Sequence, residues 1–165
     1  MNKFLVVSAA LALALATACS SVPTKDIEIL TEAAPKANFS GYSSYAWLGA
    51  ATMLNDPDGQ WESPEFDADT EIKYLIDREL RARGFSETTT DPDMVIAFAA
   101  GVDMDALQLK TDPETDLDVL TNVPSSGLMI IVVDAKSGFV IWAGLAGGEV
   151  QADLDTATRK ARLDY

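Results

Sequence analysis

The chain has 165 residues, 48% of them hydrophobic, which is enough for one globular domain with a real core and too few for two of ordinary size. Its 26 acidic residues against 12 basic ones give a formal net charge of -14, a field that repels phosphate backbones and argues against nucleic acid as a partner. Histidine is absent and there is a single cysteine, so the usual zinc, copper and haem ligand sets, Ser-His-Asp and Cys-His arrangements and an internal disulfide are all excluded within one chain.

The N-terminus has three parts. Met1-Asn2-Lys3 carries one positive charge, Phe4 to Ala16 is an uncharged, mostly apolar run of thirteen residues, and Thr17-Ala18 places small residues before Cys19. This is the layout of an export signal. A helix needs about 20 apolar residues to cross a bilayer core, so the run is too short for a permanent span. Small residues followed by cysteine resemble the lipobox of bacterial lipoproteins, whose cysteine is acylated and becomes the new N-terminus. The commonest form has Leu three places before the cysteine, where this chain has Ala16, with Leu15 one step earlier. The competing reading is an ordinary secretory signal cleaved near Ala18. The expectation is therefore a signal over residues 1–18, a lipidated Cys19 and tether over 19–24, and one domain over 25–165. By resemblance to the sorting of enterobacterial lipoproteins, Ser20 after the cysteine implies the outer membrane, facing the periplasm.

Lys25 to Thr31 alternates, with Ile27 and Ile29 opposite Asp26 and Glu28, as a half-buried strand does. A turn-rich stretch with Pro35, Asn38 and Gly41 precedes "GYSSYAWLG", residues 41–49, a strand with Tyr45 and Trp47 on one face. Residues 49–66 carry Pro57, Gly59 and Pro64 and read as a polar loop. From Asp67 to Gly84 the signals are helical: a capping aspartate, acids in the first turn, basic residues in the last, and a closing glycine. Ile72, Leu75, Ile76 and Leu80 form its apolar stripe, and Asp77/Arg81 and Glu79/Arg83 are favourable pairs four apart. The spacing puts Glu79 on that stripe, either as a partly buried ion pair with Arg83 or as a tuned acid. "DMVIAFAAGV", 93–102, suits a strand covered on both faces or central in a sheet. "GLMIIVVD", 127–134, turns at Ala135-Lys136-Ser137-Gly138 into "FVIWAGLAGGEV", 139–150, which makes a hairpin. Asp153 to Tyr165 opens as a helix.

Three segments in this order, "GYSSYAWL" at 41–48, "IKYLIDRELRARGFSETTTDPDMVIAF" at 72–98 and "GLMIIVVDAKSGFVIWAG" at 127–144, resemble the bacterial lipoproteins of domain-of-unknown-function family 4136. The chain departs from that pattern at Ala143, where a basic residue usually follows the hairpin tryptophan, and at Tyr165, where the family's closing helix usually continues, so a truncated last helix is expected. The resemblance implies an envelope lipoprotein of α+β fold. It implies no activity.

Asp103 to Ser126 reads as a long connection in which acids face a single Lys110. Within it Asp112, Glu114, Asp116 and Asp118 recur at every second position, a spacing of oxygen ligands that can converge on calcium if the chain wraps. Leu117 occupies the place where an EF-hand needs glycine and Val123 the place of its glutamate, so a solvated acidic loop is the alternative. "DPDG", 56–59, is a turn first and an ion site second. Trp47 and Trp142 are expected in the core, whereas Trp61, in a loop, is the one expected to be exposed. The chain thus predicts a two-layer α+β domain, with an antiparallel sheet of about five strands, one long helix packed on a face and a C-terminal helix. Its expected role is a lipid-anchored, non-enzymatic envelope module with no cofactor, working on an envelope protein or cell-wall partner. The alternatives are a carboxylate-dependent hydrolase of cell-wall material and a calcium-binding envelope protein.

Overall fold

The computed structural model describes residues 22–165. The expected export signal and Cys19 lie outside the described residues, as does the start of the expected tether.

One six-stranded sheet forms the body of the domain, in the order β1-β8-β7-β4-β2-β3. These strands are β1 (Glu28–Ala33), β2 (Ser44–Asn55), β3 (Ser86–Glu87), β4 (Met94–Asp103), β7 (Ser125–Asp134) and β8 (Val140–Glu149). Helices α1 (Ala68–Ala82) and α2 (Thr156–Leu163) form the second layer of a two-layer α+β fold. No helix among the described residues is long and apolar enough to cross a membrane.

The sheet is mixed and not wholly antiparallel. β2 runs parallel to both β4 and β3, while the β4/β7, β7/β8 and β1/β8 pairs are antiparallel. The physical reason lies in the connections. A tight turn reverses the chain, as between β7 and β8, but β2 and β4 are joined through α1, and a helical crossover returns the chain in its original direction. β2 also runs on to Asn55, beyond the expected boundary at residue 49.

Local chemistry accounts for the element ends. The Asp67 carboxylate accepts from the Thr70 backbone N–H (3.1 Å) and hydroxyl (2.8 Å), capping α1, and Gly84, at φ +90°, closes it. Asp155 caps α2 by accepting from the Thr158 N–H at 2.7 Å. In the β7–β8 turn, Asp134 accepts from the Ser137 N–H at 2.6 Å, and Gly138 adopts φ +75°.

Along β4, Met94, Ile96 and Phe98 are buried while Val95, Ala97 and Ala99 are half-exposed, so this central strand is covered on one face only. Tyr45, Met94, Ile96 and Ile141 make the core beneath α1, joined by Leu80 and Phe85. Ile141 is the extra residue of a β-bulge opposite Val132 and Val133.

The expected loop between Asp103 and Ser126 contains a separate two-stranded hairpin, β5 (Leu107–Thr111) paired with β6 (Asp118–Asn122). Leu107 and Leu109 alternate along β5, and Leu120 of β6 stands opposite Leu109, a strand pattern that the surrounding acids obscure.

Candidate functional site

Among the described residues the buried charged side chain is Asp77 on α1. Its Oδ1 accepts from the Tyr45 hydroxyl at 2.7 Å and the Trp47 indole N–H at 3.0 Å, and the Arg81 guanidinium stands 3.7 Å from Oδ2. Both aromatics rise from one face of β2, so the helix carboxylate locks α1 onto the strand. Burial, reinforced by Asp77, raises the Tyr45 pKa and keeps the phenol protonated as a donor. Glu79, placed on the apolar stripe by its spacing, is instead half-exposed and pairs with Arg83 at 2.7 Å and Arg78 at 3.1 Å. Ile72 and Asp77 are the buried residues of α1, with Leu80 packed against the core, so Asp77 and not Glu79 is the acid that the helix turns toward the sheet. Two aromatics with polar tips on alternate residues of a strand require a buried acceptor, and that was the available signal for Asp77.

A second polar seam closes one end of the sheet. Asp93 Oδ2 accepts from the backbone N–H groups of Ser43 (2.8 Å) and Ser44 (2.9 Å) and from both hydroxyls. These bonds, the Ser43 N–H first, hold its pKa down at about 2. Nearby, the Tyr42 hydroxyl donates to Asp134 at 2.9 Å.

The third feature ties the segment ahead of β1 to α2. Arg162 on α2 makes a bidentate pair with Asp26 at 3.0 and 2.7 Å and also donates to the Pro23 carbonyl. Both side chains are largely buried, and the Arg162 bonds lower the Asp26 pKa.

The proposed calcium ligands lie at the tip of the β5–β6 hairpin. Asp112 accepts from the Glu114 and Thr115 N–H groups at 2.8 and 3.0 Å, capping its own turn. Asp118 takes the Thr111 hydroxyl at 2.9 Å, and Asp116 sits at φ +56°. Among the described residues no group of three or more acidic or cysteine side chains is arranged to hold a metal ion. "DPDG" is a turn, with Asp56 accepting from the Gln60 and Trp61 N–H groups at 2.8 Å each.

Two apolar features lie on opposite faces of the large sheet. On the face of the sheet away from the helices, Leu30, Leu145 and Met129 stand in one row across β1, β8 and β7 and are 67%, 48% and 45% exposed. On the helical face, beside α2, lies a half-open cavity of about 440 Å³. Its floor is a single cross-strand row, Ile29–Ala146–Leu128–Ala100–Thr52. Trp61 and Phe66 from the 56–67 connection, with Leu154 and Leu163, close over it. Trp61 is thus half-buried against the cavity, not exposed as its loop position suggested. Trp47 and Trp142 are partly buried on the covered face, with Trp47 packed edge-on against Phe98.

Residues 30–165 match the family model described as Domain of unknown function (DUF4136). The chain belongs to that family. Its fold is similar to a DUF4136 protein from Bacteroides thetaiotaomicron, at 13% identity and a TM-score of 0.51, covering 84% of this chain and 91% of that one. It is also similar to the PelC dodecamer protein from Paraburkholderia phytofirmans, with 14% identity, coverage of 83% and 93% and a TM-score of 0.47. A lipoprotein from Neisseria meningitidis aligns at 12% identity over 73% of this chain and 92% of that one, with a TM-score of 0.43. No curated protein matches the sequence.

The DUF4136 motifs now have a structural account. "GYSSYAW" supplies Tyr42, Ser43, Ser44, Tyr45 and Trp47, and these bond Asp134, Asp93 and Asp77 from the other two motifs. The three separated segments form one hydrogen-bonded framework.

Proposed function

We propose that this DUF4136 protein is a lipid-anchored component of the bacterial cell envelope, held at the outer membrane through acylated Cys19 and acting as a non-enzymatic binding module. The observation that carries the module reading is the uncovered row Leu30–Leu145–Met129, apolar and exposed across three paired strands. A contiguous apolar surface of this kind marks a site of macromolecular contact. Asp26, Asp93, Asp112 and Asp134 are held below the usual carboxylate range by hydrogen bonds, so none of these four is an acid of the raised pKa that protonates a glycosidic leaving group.

Anchoring and binding have separate tests. Cys19→Ser should move the protein from the membrane fraction to the soluble fraction, since one methylene in the bilayer contributes about 0.8 kcal/mol and two or more chains are needed for stable anchoring. Undiminished sedimentation with membranes would rule the anchor out. A photo-crosslinking residue at position 129, introduced in cells, should give a discrete adduct with an envelope component. The same residue at exposed Tyr74 on α1 should not. Identical patterns from the two positions would dismiss the sheet face as the contact surface.

A further inference from the structure

We propose that the cavity beside α2 binds one single-chain aliphatic anion of the fatty-acid class. The proposal concerns a different face from the apolar row above and does not depend on Cys19.

The cavity is created by the register of the sheet. In the row Ile29–Ala146–Leu128–Ala100–Thr52, alanines on β8 and β4 stand where larger residues would reach the helical layer, and the next row places Gly148 beside Ser126 and Val102. Toward the other end of the same face, Trp47 packs edge-on against Phe98 and the Trp142 ring lies over Gly144, so large side chains fill the equivalent space. The helical layer is held above the gap from both sides. Lys160 pairs with Glu71 of α1 at 2.7 Å and stands 5.0 Å from the Phe66 ring centre, and the Asp26–Arg162 pair secures the far wall. A braced roof above small residues leaves a gap that does not close by collapse. At about 440 Å³ it lies within the roughly 300–1,000 Å³ of small-molecule sites, a volume suited to one acyl chain and not to the two of a phospholipid.

The charge of the occupant follows from Arg159. Among the described residues it is the one arginine without a carboxylate partner, although the chain carries a net charge of -14. Its Nε and one terminal nitrogen donate to the carbonyls of Leu154 and Ala152, at 2.9 and 2.7 Å, which fixes the guanidinium at the cavity wall with donors to spare. The Asp69 carboxylate lines the opposite side, on α1, and takes the Thr52 hydroxyl at 3.1 Å. An anion is therefore directed to the α2 end, with its hydrocarbon lying along the Ala146–Leu128–Ala100 floor. The acyl groups expected on Cys19 are linked through ester and amide bonds and have no free carboxylate for Arg159, which favours a separate fatty-acid anion.

The test uses the full chain carrying Cys19→Ser, with cis-parinarate as fluorescent probe and hexadecanoate and hexadecanol as competitors. Saturable binding of one parinarate per chain is expected, displaced by hexadecanoate. Arg159→Gln should weaken hexadecanoate about tenfold while leaving hexadecanol unchanged, and Arg159→Lys should keep hexadecanoate within about threefold. Ala146→Phe, which fills the floor, should abolish binding of both, and Ala100→Leu provides a second, smaller filling variant should the first fail to fold. Three outcomes would overturn the proposal: no saturable parinarate binding, equal loss of acid and alcohol in Arg159→Gln, or folded filling variants that bind like the parent.

Discussion

Asp77→Ala tests whether the aromatic pair on β2 depends on α1 for its polar partner. The substitution removes the acceptor of two hydrogen bonds, leaving the fully buried Tyr45 hydroxyl and the partly buried Trp47 N–H without one. An orphaned buried donor costs about 1–3 kcal/mol, so two give about 2–6 kcal/mol. Two features set the expectation toward the lower half. Removing the carboxylate also removes its own desolvation cost, and Arg81, with a side chain 61% exposed, is left solvated and not as a buried unpaired charge. A loss of about 2–4 kcal/mol is expected, or a fall in Tm of roughly 5–15 °C for a chain of this size. Tyr45→Phe alone should cost about 1 kcal/mol, and the double variant should cost less than the sum, because the hydroxyl that Asp77→Ala orphans is no longer there. Urea denaturation of the four proteins gives the cycle. An Asp77→Ala effect under about 0.5 kcal/mol, or strictly additive losses, would refute this account of the helix–strand lock.

The seam at the sheet end predicts a pH dependence. Asp93 has a folded pKa of about 2 against an ordinary 3.8, so the stability it contributes is complete above 3.8 and disappears as pH falls toward 2. Asp93→Asn should flatten the dependence of the urea midpoint on pH across that interval. Arg162→Gln should cost about 2–3 kcal/mol by leaving Asp26 largely buried and unpaired. It should also speed amide exchange in residues 24–27, and exchange equal to the parent would show that the clamp does not hold the N-terminal segment. At Gly144 a Cβ would stand 3.0 Å from Trp142 Cζ2 and closer still to Cη2, so Gly144→Ala must displace the indole. A loss of about 1–3 kcal/mol with a shifted tryptophan emission maximum is expected, and unchanged emission would argue against that packing.

Much of the framework was legible in short-range pattern. The spacing of Ile72, Ile76 and Leu80, with Asp67 ahead and Gly84 behind, defines α1 from within its own segment, because helix periodicity and capping act over three or four residues. The β7–β8 hairpin was equally readable, since Asp134 and Gly138 carry the turn chemistry in a handful of adjacent positions. Strand direction, the face that α1 presents and the cavity were not readable in this way. β2 and β4 are parallel because of the route of the crossover between them, and Asp77 rather than Glu79 is buried because of how the helix rolls on Tyr45 and Trp47. The cavity floor brings Thr52, Ala100, Leu128 and Ala146 into one row, although nothing in the local surroundings of any of them marks a gap. Local order follows from propensities that neighbouring residues express by themselves. A cross-strand row, by contrast, depends on a register in which a one-residue slip would turn every side chain to the opposite face, and only the assembled sheet specifies that register.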